Sequence, residues 1–233
     1  MQTRWDELTV DGTPMRCYVA LPDATPAAAV VVIQHAGGVD SFIQTMTERL
    51  AEAGFAAIAP DLYHRDDPRT ADDAMTRMSR LRDERIVRDV ETAIGHLRTL
   101  PEVRADRVGI TGFCMGGRVA YLMATMAPEL RAGVVFYGGN IMTAWGSGPA
   151  PFDQSAKIAA PILGLFGEDD GNPNPADVAK LDTELSRLGK PHEFHSYKGA
   201  GHAFMNEGRP SYRSDAAADA WKRCVGWFRR HLA

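Results

Sequence analysis

Short, uninterrupted apolar runs recur along this chain at Val30 to Ile33, Phe55 to Ala59, Val108 to Ile110, Ala132 to Phe136 and Pro161 to Phe166. A strand with one wet face alternates apolar and polar residues, whereas a run without alternation is buried on both faces. Helical segments separate the runs: Phe42 to Ala53, Glu84 to Leu97, Gly117 to Met126 and Ala176 to Leu188. Strand and helix in turn imply an α/β fold, a mainly parallel sheet with helices on both faces. Ahead of this pattern, Trp5 to Val10 and Met15 to Leu21 flank Asp11-Gly12-Thr13-Pro14, which predicts an antiparallel hairpin at the sheet edge. His192 to Tyr197 reads as a late strand and Asp215 to His231 as a closing amphipathic helix. The polar Asp66 to Arg85 stretch reads as a solvated surface helix, with a cap over a site as its alternative. No repeat, low-complexity tract or linker divides the chain, so residues 1–233 are expected to form one domain.

Composition narrows the function classes. With 233 residues, 45% of them hydrophobic, the chain is long enough to bury a real core. Its net charge of −4, with no basic cluster, argues against nucleic acid as a partner. The N-terminus lacks an apolar signal-like region, and no stretch approaches the roughly 20 apolar residues that cross a bilayer. The expectation is a cytoplasmic protein without a membrane partner, a monomer or small homo-oligomer. Three widely spaced cysteines, Cys17, Cys114 and Cys224, make neither a disulfide framework nor a thiolate zinc site, and no His-x-x-x-His spacing occurs. No metal or organic cofactor is therefore expected.

Candidate chemistry starts at Gly112-Phe113-Cys114-Met115-Gly116, which lies between an apolar run and a helix start. This is the glycine spacing of a nucleophile elbow, a sharp strand-to-helix turn that presents its central side chain to a ligand, here with cysteine at the apex. The bland alternative is a small buried cysteine beside a glycine-rich turn. Two later loops supply partners in hydrolase order. Gly167-Glu168-Asp169-Asp170-Gly171-Asn172-Pro173 follows one strand and holds carboxylates, although such a cluster also suits a solvated turn. Lys198-Gly199-Ala200-Gly201-His202-Ala203-Phe204 follows the last strand and places His202 between small residues. A histidine there would take the thiol proton, and a carboxylate would fix its tautomer.

Gln34-His35-Ala36-Gly37-Gly38-Val39, Ala59-Pro60-Asp61-Leu62-Tyr63, Gly112 to Gly117, Gly167 to Pro173 and Gly201 to Phe204 together resemble the dienelactone hydrolase family, the cysteine branch of the α/β-hydrolases, over nearly the whole chain. The resemblance implies Cys114 as nucleophile, His202 as base and Asp170 as acid, with Asp169 the fallback. It also implies an oxyanion hole from the backbone N–H groups of Met115 and Ala36. The activity implied is opening of a small lactone, or cleavage of an activated ester, through a thioester. Rival readings are a broad esterase or peptidase and a binding or sensor protein without turnover. Two positions depart from the family pattern. His35 stands where the family has a glutamate beside the cysteine, in a substrate-contacting or a purely structural role. Asn206 stands where it has an arginine for the substrate carboxylate, and Arg65, Arg80, Arg82, Arg85 and Arg209 are the alternative cations. Tyr63, Tyr137, Trp145, Phe204 and Tyr212 either line a substrate pocket or pack the core.

Overall fold

The computed structural model describes residues 1–67 and 69–233. Pro68, inside the polar Asp66 to Arg85 stretch, lies outside the described residues. The strands are β1 (Gln2–Val10), β2 (Thr13–Leu21), β3 (Ala27–Ile33), β4 (Ala56–Pro60), β5 (Val103–Phe113), β6 (Ala132–Phe136), β7 (Ile162–Gly167) and β8 (His192–Tyr197). The α-helices are α1 (Ser41–Glu52), α2 (Ala74–Ser79), α3 (Asp83–Thr99), α4 (Met115–Met126), α5 (Pro175–Arg187) and α6 (Ser214–His231). The strands form one sheet in the order β1-β2-β4-β3-β5-β6-β7-β8, antiparallel at β1–β2 and β2–β4 and parallel elsewhere. This is the mainly parallel sheet with an antiparallel edge hairpin that the apolar runs imply, in the arrangement that the resemblance implies for an α/β-hydrolase.

The hairpin turn is tighter than expected. Asp11 and Gly12 take φ of 50° and 77°, both positive as a two-residue type I′ turn requires, so Thr13 and Pro14 already belong to β2. Pro14 is tolerated because β2 pairs with β4 only from Cys17 to Ala20. β5 starts earlier than its apolar residues suggest. Ala27 pairs with Val103 and Ala29 with Val108, a register shift that carries the half-buried Arg104 and the exposed Ala105 and Asp106.

Alternate residues of each central strand feed two cores. Ala29, Val31 and Ile33 face Ile86, Val90 and Ile94 of α3 and Val119 of α4, while Val30 and Val32 face Ile43 and Leu50 of α1 and Phe228 of α6. Each fully buried valine, leucine, isoleucine or phenylalanine among these contributes about 1.5–3 kcal/mol against the entropy of ordering the chain. Within the Asp66 to Arg85 stretch, α2 buries none of its residues. It is a surface helix, and none of the described residues of the stretch borders the cavity described below.

From β3 the chain runs to β4 on one side and later returns to β5 on the other. The two loops leaving β3 and β5 at their carboxyl ends therefore part there, opening the crevice in which open α/β sheets hold ligands. Ala36 and Cys114 sit on those two loops.

Candidate active site

Cys114 is the single residue between β5 and α4, with φ 59° and ψ −121°. Non-glycine residues avoid such a conformation at a cost of about 1–3 kcal/mol. Close backbone packing holds it there. A Cβ on Gly112 would lie 2.0 Å from the Gly116 carbonyl oxygen, and one on Gly116 would lie 2.4 Å from the Ile33 carbonyl oxygen. Glycine at both positions lets α4 start directly against β5 and β3, and Cys114 N donates to Phe136 O at 3.1 Å. Arg118, one turn into α4, is fully buried. It holds Asp83 at 2.6 and 2.8 Å, donates to the carbonyls of Asn140 and Thr143, and stacks on Trp145 at 4.0 Å.

His202 Nδ1 lies 2.8 Å from Asp170 Oδ2. Asp170 is 5% exposed, and its other oxygen accepts from Asn172 N at 2.8 Å. The Asn172 amide is itself clasped by Asn140, donating to Asn140 Oδ1 and accepting from Asn140 N. Asp169, by contrast, is exposed. With Nδ1 committed to Asp170, the remaining ring nitrogen of His202 is left for Cys114, which borders the same cavity as His202 and Ala36. The His202 ring and the backbone N–H groups of Met115 and Ala36 favour the charged form of the sulfur.

These contacts set the charges. Burial raises the Cys114 thiol, but the His202 ring and the two N–H groups outweigh it, leaving the pKa below the ordinary value. Burial lowers His202, yet its bonds to Asp170 and Cys114 carry it up to about 10. The pair is therefore shifted toward thiolate and imidazolium relative to a free cysteine and histidine. Cys17 and Cys224 are buried thiols pushed the other way, Cys17 up to about 12. Iodoacetamide should accordingly alkylate Cys114 ahead of both. Its rate should rise at a lower pH than that of a free thiol, because the thiol is held below the ordinary value. Peptide mapping against pH checks this, and labelling that rises through about pH 8.5 like an ordinary thiol would rule out the ion pair.

Around Cys114 and His202 lies a cavity of about 420 Å³ bordered also by His35, Phe42, Tyr137, Asn206 and Arg209. His35 Nε2 lies 2.7 Å from Asp40 Oδ2, and the other Asp40 oxygen caps α1 by accepting from Ile43 N. The ring thus takes a structural role in the α1 cap while one edge meets the cavity. Tyr63 and Phe204, expected to touch substrate, are not at the cavity. Phe204 is fully buried against Tyr137 and Tyr197, because its strand-end loop folds back onto the core. Tyr63, 3% exposed, lies behind the Ala36 loop, its hydroxyl donating to Ala36 O at 3.1 Å and 3.5 Å from Met115 Sδ. It braces the two residues whose N–H groups favour the charged sulfur.

Of the alternative cations, Arg65 is held by buried Asp89, Arg80 by Asp72 and Asp66, and Arg82 by the Ser79 and Leu81 carbonyls. Arg85 does not border the cavity; Arg209 does, and no carboxylate pairs with it among the described residues. Phe42, Asn140 and Arg118 carry no motif and Asn172 belongs to the acidic turn without a role read for it, so only tertiary contacts reveal their parts. Among the described residues no group of three or more His, Cys, Asp or Glu is arranged to hold a metal ion, and no helix is long and apolar enough to cross a membrane.

The sequence profile of the Dienelactone hydrolase family matches residues 15–232. The chain belongs to the dienelactone hydrolase family. A "Putative carboxymethylenebutenolidase" of Methylorubrum extorquens is 35% identical over 221 residues, covering 92% of this chain and 76% of that protein. A "Probable 2-oxo-3-(5-oxofuran-2-ylidene)propanoate lactonase" of a Bradyrhizobium species is 33% identical over 234 residues, covering 98% and 94%. Among solved structures, a "Putative Dienelactone Hydrolase" from Klebsiella pneumoniae superposes with a TM-score of 0.89 at 32% identity, over 99% of this chain and 100% of that one.

Proposed function

We propose that this protein hydrolyses small lactones or activated carboxylic esters, with Cys114 as nucleophile, His202 as acid and base, and Asp170 as its orienting carboxylate. Membership of a family whose relatives are named carboxymethylenebutenolidases and lactonases supports the reaction class. The observation that carries the residue roles is that Cys114, at a strained turn, and His202, bonded to the buried Asp170, border one cavity together with Ala36.

The thiolate adds to the substrate carbonyl carbon, and the carbonyl oxygen takes up the negative charge. That oxyanion accepts from Met115 N–H and Ala36 N–H, donors already fixed in place and so requiring no reorganisation as charge develops. When the intermediate collapses the C–O bond breaks, and the His202 imidazolium gives its proton to the departing alkoxide. The acyl group remains on sulfur as a thioester; for a lactone, the new hydroxyl stays attached to it. Water, deprotonated by His202, then adds to the thioester, and thiolate leaves with the acid as product. A free thiol at the centre of this cycle suits a reducing compartment such as the cytoplasm. Multiple turnovers on p-nitrophenyl acetate and on a panel of lactones, lost in Cys114→Ala, test the reading; binding without turnover would mark a sensor instead.

Arg209 changes the expectation drawn from Asn206. The guanidinium that the family places two residues after the phenylalanine is missing, but one three residues further along borders the same cavity. A carboxylate on a small lactone therefore has a cationic partner. Arg209→Gln is expected to lower kcat/KM for a carboxylate-bearing lactone about tenfold relative to a neutral one, the lower range for a charge-assisted pair at an exposed site. Paired kinetics on the two lactones decide it, and an unchanged ratio would assign recognition to another group.

A further inference from the structure

A second cavity of about 490 Å³ adjoins the first, sharing Phe42 and Asn206 as common wall. One side is a single face of α1. Phe42, Thr45, Met46 and Arg49 all border it, at the i, i+3, i+4 and i+7 spacing that lines residues up along a helix. The groove thus starts where the Cys114 cavity ends and runs beside α1 for seven residues, on the order of 10 Å at the helical rise. Opposite Met46 its wall is apolar, formed by the buried Met205 and Ala217.

Its far end is cationic. Arg49 stacks on Trp221 with 4.3 Å between guanidinium carbon and ring centroid, and no carboxylate pairs with it among the described residues. A stacked guanidinium keeps its charge and its in-plane donors while losing much of its freedom, so it is prepared for an anion. The one acidic residue on the groove, Glu207, accepts from Tyr212 at 3.4 Å and forms no ion pair with Arg49.

We infer that this groove binds the acyl chain of substrates with an extended alkyl segment ending in a carboxylate, held by Arg49 while the reacting carbonyl sits at Cys114. The inference rests on the hydrolase reading of the Cys114 cavity and adds the substrate class to it. An α,ω-dicarboxylic half-ester of about the groove's length satisfies both ends, whereas a short one reaches only Arg209.

The test compares p-nitrophenyl esters of azelaic and glutaric acid, each with the distal carboxylate free or methylated. In the wild type the free azelate ester is expected to exceed its methyl form in kcat/KM by about tenfold. Arg49→Gln should bring that ratio close to one and leave the glutarate ratio as it was, while Arg49→Lys retains part of it. Thr45→Trp, on the exposed side of α1, should block the groove and depress both azelate esters relative to p-nitrophenyl acetate. An azelate ratio near one in the wild type, or one that Arg49→Gln leaves intact, overturns the assignment. Failure of the hydrolase reading would look different, as absence of Cys114-dependent turnover on p-nitrophenyl acetate itself.

Discussion

Cys114→Ala is expected to reduce kcat for an activated ester by on the order of 10⁴-fold or more, and His202→Ala by a similar factor, because nucleophile and base act as a unit and neither is useful alone. The two losses should not add in the double variant. The fold should survive both changes, since Cys114 lies on a one-residue turn and His202 on a half-exposed loop. Stability measured alongside activity separates the two effects. Cys114→Gly makes the separation sharper. At φ 59° and ψ −121° a glycine relieves strain that cysteine carries, so this variant should unfold at a higher temperature, by about 1 kcal/mol in stability, while being equally inactive. Substantial turnover in Cys114→Ala would remove the nucleophile assignment.

The second large effect is expected at Asp170. Asp170→Asn should lower kcat by about 10³–10⁴-fold with little change in KM, whereas Asp169→Asn should stay within about twofold. Asp170 accepts from His202 on one oxygen and from Asn172 N on the other. An amide has one oxygen to offer, so it must either leave Asn172 N unpaired or turn its NH₂ toward His202. The latter favours the tautomer with its proton on the nitrogen facing the thiol and removes the base. Asp169 faces solvent and meets no imidazole. The same argument gives a pH signature. Losing the carboxylate removes the principal group holding His202 up near 10, so the imidazolium should titrate lower and thiolate formation shift with it. Imidazole NMR titration of wild type and Asp170→Asn reads this directly; equal kinetic losses at Asp169 and Asp170 would undo the assignment of the acid.

Some of this was legible before any coordinates. Runs such as Val30 to Ile33 have no polar alternation and so belong in the middle of a sheet, and Gly112-x-Cys114-x-Gly116 marks a place where backbone meets backbone. Both are local: the first depends on the period of a strand, the second on the absence of a Cβ. The order of cysteine, carboxylate and histidine follows from the order of strands, which the same apolar pattern reveals. Choosing Asp170 over Asp169 took a family resemblance, because adjacent residues on a turn differ only in which way the turn points them.

What the amino-acid order alone determined is therefore the fold class, the elbow and the three loops that carry its candidate partners, since each is written in periodicity or in glycine spacing within a few residues. Tertiary structure decided the rest. It sent Tyr63 and Phe204 behind the site rather than into it, turned His35 onto Asp40, clasped Asn172 to Asn140 beneath Asp170, and left Arg49 and Arg209 without carboxylate partners among the described residues while Arg65 and Arg80 were paired. An aromatic or an arginine has the same local signature whether it packs, pairs or binds. Which of these it does depends on groups tens of residues away along the chain, and only folding brings those within the few ångströms over which hydrogen bonds and packing act.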